Sequence, residues 1–282
     1  MEDADYIPYE EDTGWKRRFE LTIPILLLIL VLFVLAWRLN WLASVPVIGD
    51  ILGGAKVANI LVVGQDNDVV KLLDQVRPDL TINYEVLTSD QVNNIRDSTF
   101  LKKYDIIILT EYAGGNFPDS RAALSSVFRS YLSKYLESSG KLILIGIAGS
   151  RDPAEPTSVG WVQWGMDRFL PVSCKSSLCN VNTSIDVEPT DISTLKIRDL
   201  SNPALKEFGP TAQFSGGGTV EYALVNCEGK LVDLEIKQGS TPIANCAIAE
   251  KPFGLGGKTV YFAYNPSRTP TIFKNILAYL RG

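Results

Sequence analysis

From Ala58 onward the chain alternates short apolar runs with amphipathic stretches. "KVANILVVGQD" is a near-continuous apolar run, as a strand covered on both faces requires. "NDVVKLLDQVRP" then places Val69, Leu72, Leu73 and Val76 at helical spacing, with Asn67 as its cap and Pro78 beyond its stop. "INYEVLT" is a second strand, and "SDQVNNIRDSTFLKKY" a partly helical segment capped by Ser89. "YDIIILTEY" is a third strand. "DSRAALSSVFRSYLSKYLESSG" is a long helix that turns Leu124, Phe128, Tyr131, Leu132 and Tyr135 inward, and "KLILIGIAG" is a fourth strand. This alternation predicts a parallel sheet with helices on both faces, joined by right-handed crossovers. Residues 151–184 break the pattern and read as an irregular, aromatic, cysteine-bearing insertion. Between Ile185 and Ala249 the short segments "STLKIRDL", "GTVEYALVN", "KLVDLEIK" and "TPIANCAIAE" predict an antiparallel extension. "GLGGKTVYFAYNPS" returns to strand and "TPTIFKNILAYLRG" closes with a helix.

The N-terminal pattern is different. "LTIPILLLILVLFVLAW", Leu21 to Trp37, contains no charge. At about 1.5 Å per residue it approaches the ~30 Å of a bilayer core, and Leu39 to Ala43 extend it. Trp15, Trp37 and Trp41 flank it as interfacial aromatics do, and Pro24 sits where its missing N–H costs least. The expectation is a cytoplasmic tail at 1–19, a transmembrane anchor in contact with lipid at 20–43 and a linker at 44–57. An extracytoplasmic domain follows at 58–282. A cleaved signal peptide, cut near "LAS", is the alternative; the long leader and long apolar run argue against it. Lys16, Arg17 and Arg18 before the span place the N-terminus in the cytoplasm.

Cysteine usage agrees with that topology. Cys174, Cys179, Cys227 and Cys246 all follow the span, and an even number in an exported region suggests two disulfides. Of the three pairings, Cys174 with Cys179 and Cys227 with Cys246 close the local loops. A zinc site is the competing reading, but paired C-x-x-C knuckles are absent and the chain has no histidine. "NTS" makes Asn182 an N-glycosylation candidate. A net charge of −5 with a pI near 5.0 offers no basic surface for nucleic acid.

Four stretches carry a family resemblance: "ANILVVG", "YDIIILTEY", the helix running into "SSGKLILIG", and the terminal "GGKTVYFAYNPS…FKNILAYL". Together they resemble the class I glutamine amidotransferase-like fold, a flavodoxin-like α/β sandwich, in its non-catalytic and trehalose-utilisation-type members. The resemblance spans Ala58 to Leu280 with an unmatched middle. It implies a mostly parallel central sheet with an antiparallel β extension, behind one N-terminal transmembrane helix. The family's enzymes place a cysteine on the elbow after the "GKLILIG"-type strand and bring a histidine from later in the domain. Here the elbow holds Gly146 to Ser150, none of them cysteine, so the nucleophile and its base are both missing.

The remaining candidates are therefore binding residues. Ser150 is the one hydroxyl on the elbow, with no histidine to take its proton. Asp66, Glu111 and Asp152 follow the first, third and fourth strands, where open α/β sheets hold ligands. Such carboxylates hold a hard cation, bind sugar hydroxyls or cap helices. Tyr112 beside Glu111 completes the most site-like stretch. Trp161 and Trp164 either anchor a partner or pack at one-helix-face spacing.

The expectation is a non-catalytic, cofactor-free domain with no metal ligand, serving binding or assembly with a protein partner at the cell surface. The rivals are a carboxylate- or metal-dependent hydrolase acting on carbohydrate and an accessory subunit of an envelope transport or secretion complex.

Overall fold

The computed structural model describes residues 26–28, 30–31, 57–110, 123–150, 154, 160–161, 165–174, 183–187, 195–238, 241–254 and 256–282. The chain divides into two units, Met1–Ala55 and Lys56–Gly282. In the first, Leu26 to Leu28, Leu30 and Val31 are helical and exposed. Most of the segment 20–43 lies outside the described residues. Among the described residues no helix is long and apolar enough to cross a membrane.

The second unit is built on a nine-stranded sheet. Its parallel half comprises β1 (Ala58–Val63), β2 (Ile82–Leu87), β3 (Ile106–Leu109), β4 (Lys141–Ile145) and β13 (Gly257–Phe262). They lie in the order β2-β1-β3-β4-β13, the arrangement of flavodoxin-like doubly wound folds. The antiparallel half continues through β12 (Thr241–Phe253), β11 (Lys230–Gln238), β7 (Leu195–Ile197) and β8 (Thr211–Ala212). Strand period two splits the core between the two faces. Ile60, Val62, Ile106, Ile108, Ile143 and Ile145 enter one buried cluster with α1 (Asn67–Leu80) and α4 (Pro270–Arg281). Leu61, Val63, Ile107, Leu109, Leu142 and Leu144 enter the other with α3 (Ser126–Glu137).

Four local expectations need correction. The cap of α1 is Asp66, not Asn67, and the helix runs through Pro78 to Leu80. Leu80 is buried in the core, so its burial holds the last turn across the proline's missing N–H. The cap of α2 (Ser89–Asn93) is Thr88, not Ser89, in a reciprocal box with Gln91. α2 is only one turn, and the rest of its segment reaches the sheet through a 3-10 turn at Phe100–Lys103. In α3 the cap is Ser125, so Leu124 is buried just before the helix.

The insertion and the extension also interlock more than the strand pattern suggests. "GTVEYALVN" splits into β9 (Gly218–Tyr222) and β10 (Val225–Cys227). β9 pairs with β6 (Thr183–Val187), and β10 pairs with β5 (Val172–Cys174) inside the insertion. Cys227 on β10 is bonded to Cys246 on β12, with Cα atoms 6.0 Å apart, as the local pairing anticipates. This bond fastens the small β5–β10 sheet to the large one. The Cys174–Cys179 pairing lies outside the described residues.

The bridge closes a loop with a sequence separation of 19. Loop-closure entropy then gives it about 3 kcal/mol. Cys227→Ala/Cys246→Ala should lose stability of that order in urea unfolding, and peptide mapping without reductant should recover the two cysteines linked. Unlinked peptides, or an unchanged midpoint, would contradict this assignment.

Candidate functional site at the strand ends

In a doubly wound sheet the ligand crevice opens at the carboxyl ends of the strands, where their order reverses. Here that place lies between β1 and β3. Gly64 follows β1 with φ +124°, and a Cβ there would stand 2.0 Å from the Thr110 carbonyl oxygen. Only glycine lets the two strand ends come this close. The Gly64 N–H donates to the Leu87 carbonyl at 2.9 Å, and the Thr110 N–H to the Val63 carbonyl at 2.9 Å, so the ladder continues past the formal strand ends.

Asp66 closes the gap. Its carboxylate is 1% exposed. Oδ1 accepts from the N–H groups of Asp68 at 2.9 Å and Val69 at 3.1 Å, which caps α1. Oδ2 accepts from Thr110 Oγ1 at 2.9 Å and from Asn265 Nδ2 at 3.0 Å. Asn265 is itself held, because its Oδ1 accepts from the Ser267 N–H at 3.0 Å and opens the 3-10 turn Pro266–Arg268. One carboxylate thus joins the segments that follow β1, β3 and β13. Burial raises its pKa above the ordinary carboxylate value, while the four donors pull it back.

The elbow after β4 is sealed in another way. Gly146 and Gly149 have φ of 60° and 69°. The Gly146 N–H donates to Phe262 at 2.8 Å, and the Ser150 N–H turns back to Ile147 at 3.0 Å. Trp161 is buried, and its Nε1 donates to the Ala148 carbonyl at 3.0 Å. The Gly160 N–H donates to the Ser150 carbonyl at 2.7 Å. Ser150 is fully buried, and its hydroxyl has no hydrogen-bond partner among the described residues. It is placed inside the elbow, not on its outer surface.

Of the sequence candidates, Asp66, Ser150 and Trp161 are described; Cys227 and Cys246 form the bond above. Glu111, Tyr112, Asp152, Trp164, Cys179 and Asn182 lie outside the described residues, and Cys174 is described only as backbone in β5. Among the described residues no group of three histidine, cysteine or acidic side chains is placed to hold a metal ion. Sequence reasoning missed Thr110 and Asn265. The Asn–Pro pair at 265–266 is a turn signal, but its link to Asp66 spans 199 residues and leaves no trace in local pattern.

No family model matches the chain, and no curated protein does. Solved structures with similar folds include a cold-adapted β-galactosidase from Rahnella sp. R3, at 11% identity and TM-score 0.49. That match takes in 78% of this chain and 30% of the β-galactosidase. A glutamine amidotransferase from Thermotoga maritima matches at 9% identity and TM-score 0.36, over 79% of this chain and 82% of its own. A carbohydrate deacetylase matches at 14% identity and TM-score 0.42, over 79% of this chain and 32% of its own. Likenesses this distant do not bear on activity.

The tie at Asp66 can be tested by charge. Asp66→Asn turns an amide against Asn265 Nδ2 and should cost about 1–3 kcal/mol in thermal or urea unfolding. Asn265→Asp keeps the acceptor for Ser267 but sets a second carboxylate beside Asp66. Both burial and the like charge then raise folded-state pKa values above the unfolded ones. That stabilisation is present in acid and lost as pH rises through the raised range. The variant should come nearest wild type below about pH 4 and fall behind toward neutrality. A deficit independent of pH would refute the geometry.

Proposed function

We propose that this chain is a single-span, extracytoplasmic protein whose amidotransferase-like domain binds or assembles with a protein partner at the cell surface and performs no amidotransferase chemistry. The observation that carries this reading is the set of internal bonds at the switch point between β1 and β3. Asp66 is the one described acid of the three sequence candidates, and all four of its bonds are spent on the protein itself. The absence of histidine from the sequence and the burial of Ser150 favour the same reading. An alcohol is a weak nucleophile without a base, so the elbow has nothing to activate. The Cys227–Cys246 bond favours an oxidising compartment, and "WKRR" before the apolar run favours a cytoplasmic N-terminus. The fold alone hosts many activities, so function must be argued from the site.

The full-length protein in mild detergent should turn over neither glutamine nor chromogenic glycosides and esters. Ser150→Ala should match wild type in folding and in the proteins recovered with it from native membranes. A hydrolytic activity lost in Ser150→Ala or Glu111→Gln, with folding intact, would overturn the non-catalytic reading and favour the carbohydrate hydrolase.

Topology has its own test. Protease added to intact cells should digest residues 58–282 and spare the leader. Protection of the whole domain would reverse the orientation.

A further inference from the structure

The end of the domain opposite the strand carboxyl ends has a charge pattern of its own. The chain enters the second unit at Lys56 and β1 at Ala58, so the entry point lies at that opposite end. In a parallel α/β layer the helices run back against the strands, and their last turns gather there too. Every such turn carries cations: Arg77 in α1, Lys102 and Lys103 in the 3-10 turn before β3, Lys134 in α3 and Arg281 in α4. The helix macrodipole accounts for cations at these positions. It does not account for cations left in solvent without an acid. Arg77, Lys102 and Lys134 are exposed, and none of them is in an ion pair among the described residues. The acids at this end are engaged elsewhere. Asp79 is paired with Lys274 at 2.5 Å and Glu137 with Arg168. Asp105 accepts from the Asn59 N–H at 2.9 Å, and Asp97, which feels the Lys102 charge, from the Thr99 N–H at 2.8 Å.

Uncharged surface accompanies these cations. Val57, just before β1, is 39% exposed. The turn from β12 into β13 reaches the same end; "PFGLGG" holds no charge, and its Pro252, Gly254 and Gly256 are exposed. Cations beside small apolar groups suit the boundary between lipid headgroups and acyl chains. We propose that this end of the domain rests on anionic phospholipid headgroups, with Arg77, Lys102 and Lys134 as the phosphate contacts. The inference depends on the membrane-anchored reading above. A flexible linker of the length of 44–57 averages about 20 Å end to end, so the entry end stays close to the bilayer that holds the apolar run. The strand carboxyl ends then point away from the lipid, and a partner at the cell surface meets the domain there.

The test places full-length protein in nanodiscs of phosphatidylcholine alone or mixed with phosphatidylglycerol. A neutral acetylating reagent is added, and the modification rate of each lysine is read by mass spectrometry. Lys102 and Lys134 should react severalfold more slowly in the anionic discs. The difference should vanish in ~1 M salt, where charges are screened beyond about 3 Å. Lys71, 74% exposed near the start of α1 at the other end of the sheet, should react alike in both discs. Arg77→Glu should restore much of the rate at Lys102 and Lys134 in the anionic discs, and Arg77→Lys should not. Equal rates at Lys102 and Lys134 in the two discs, or equal slowing at Lys71, would overturn the docking while leaving the anchor standing. Protein that does not remain with the discs would refute the anchor itself, and the docking with it.

Discussion

A carboxylate taken out of water must find donors or be neutralised, and Asp66 finds four. Two belong to the first turn of α1, one to the end of β3 and one to the segment after β13. The positions of α1, β3 and the final helical segment are set through a single buried group. Gly64 makes this possible by letting the β1 and β3 ends approach without a side chain between them. Among the described residues, the ends of β1 and β3 and the segment after β13 are tied by an internal knot of hydrogen bonds.

The second organising constraint is the change of strand direction at β13. On one side of it lie four parallel partners that need helices on both faces. On the other lies an antiparallel run, β12-β11-β7-β8, with a tight connection between β11 and β12 and register irregularities between Lys230 and Val232 and between Val232 and Asp233. The β5–β10 pair joins this half through the turn Glu228–Gly229 that leads from β10 into β11, and the Glu250 N–H donates to the Gly229 carbonyl at 2.9 Å. The Cys227–Cys246 bond adds a second covalent link, from β10 to β12. Asp233, buried on β11, is matched by Arg198 at 2.5 Å and Lys230 at 3.6 Å, so its charge also finds partners at the sheet surface.

The parallel half was legible because its physics is local. Continuous apolar runs and 3.6-residue spacing marked β1, α1, β3, α3 and β4 close to where they lie. The local disulfide between Cys227 and Cys246 was legible from spacing. Boundaries were less so: Asp66 and Asn67 are both good capping residues, and only the bonds to Thr110 and Asn265 decide between them. Leu80 carries α1 beyond Pro78 for a reason that exists only in the packed core. The split of "GTVEYALVN" into β9 and β10 depends on two different partner strands, which no single-segment pattern encodes. Asn265 was illegible because its role is to complete a group 199 residues earlier.

The position of β13 bears on how the domain is made. β4 ends at Ile145, yet its parallel neighbour begins only at Gly257. As the chain emerges from the ribosome, β4 is left as a bare hydrogen-bonding edge while the insertion and the antiparallel strands are synthesised. The hairpin of β11 and β12 and the bond at Cys246 belong to chain made before β13, so that half can assemble first. β13 then enters between two edges already in place, β4 on one side and β12 on the other. A chain stopped short of Gly257 would leave both edges open at once, each a template for another molecule's strand. Truncated translation products of this protein should therefore be dangerous to the cell in a way that the finished chain is not.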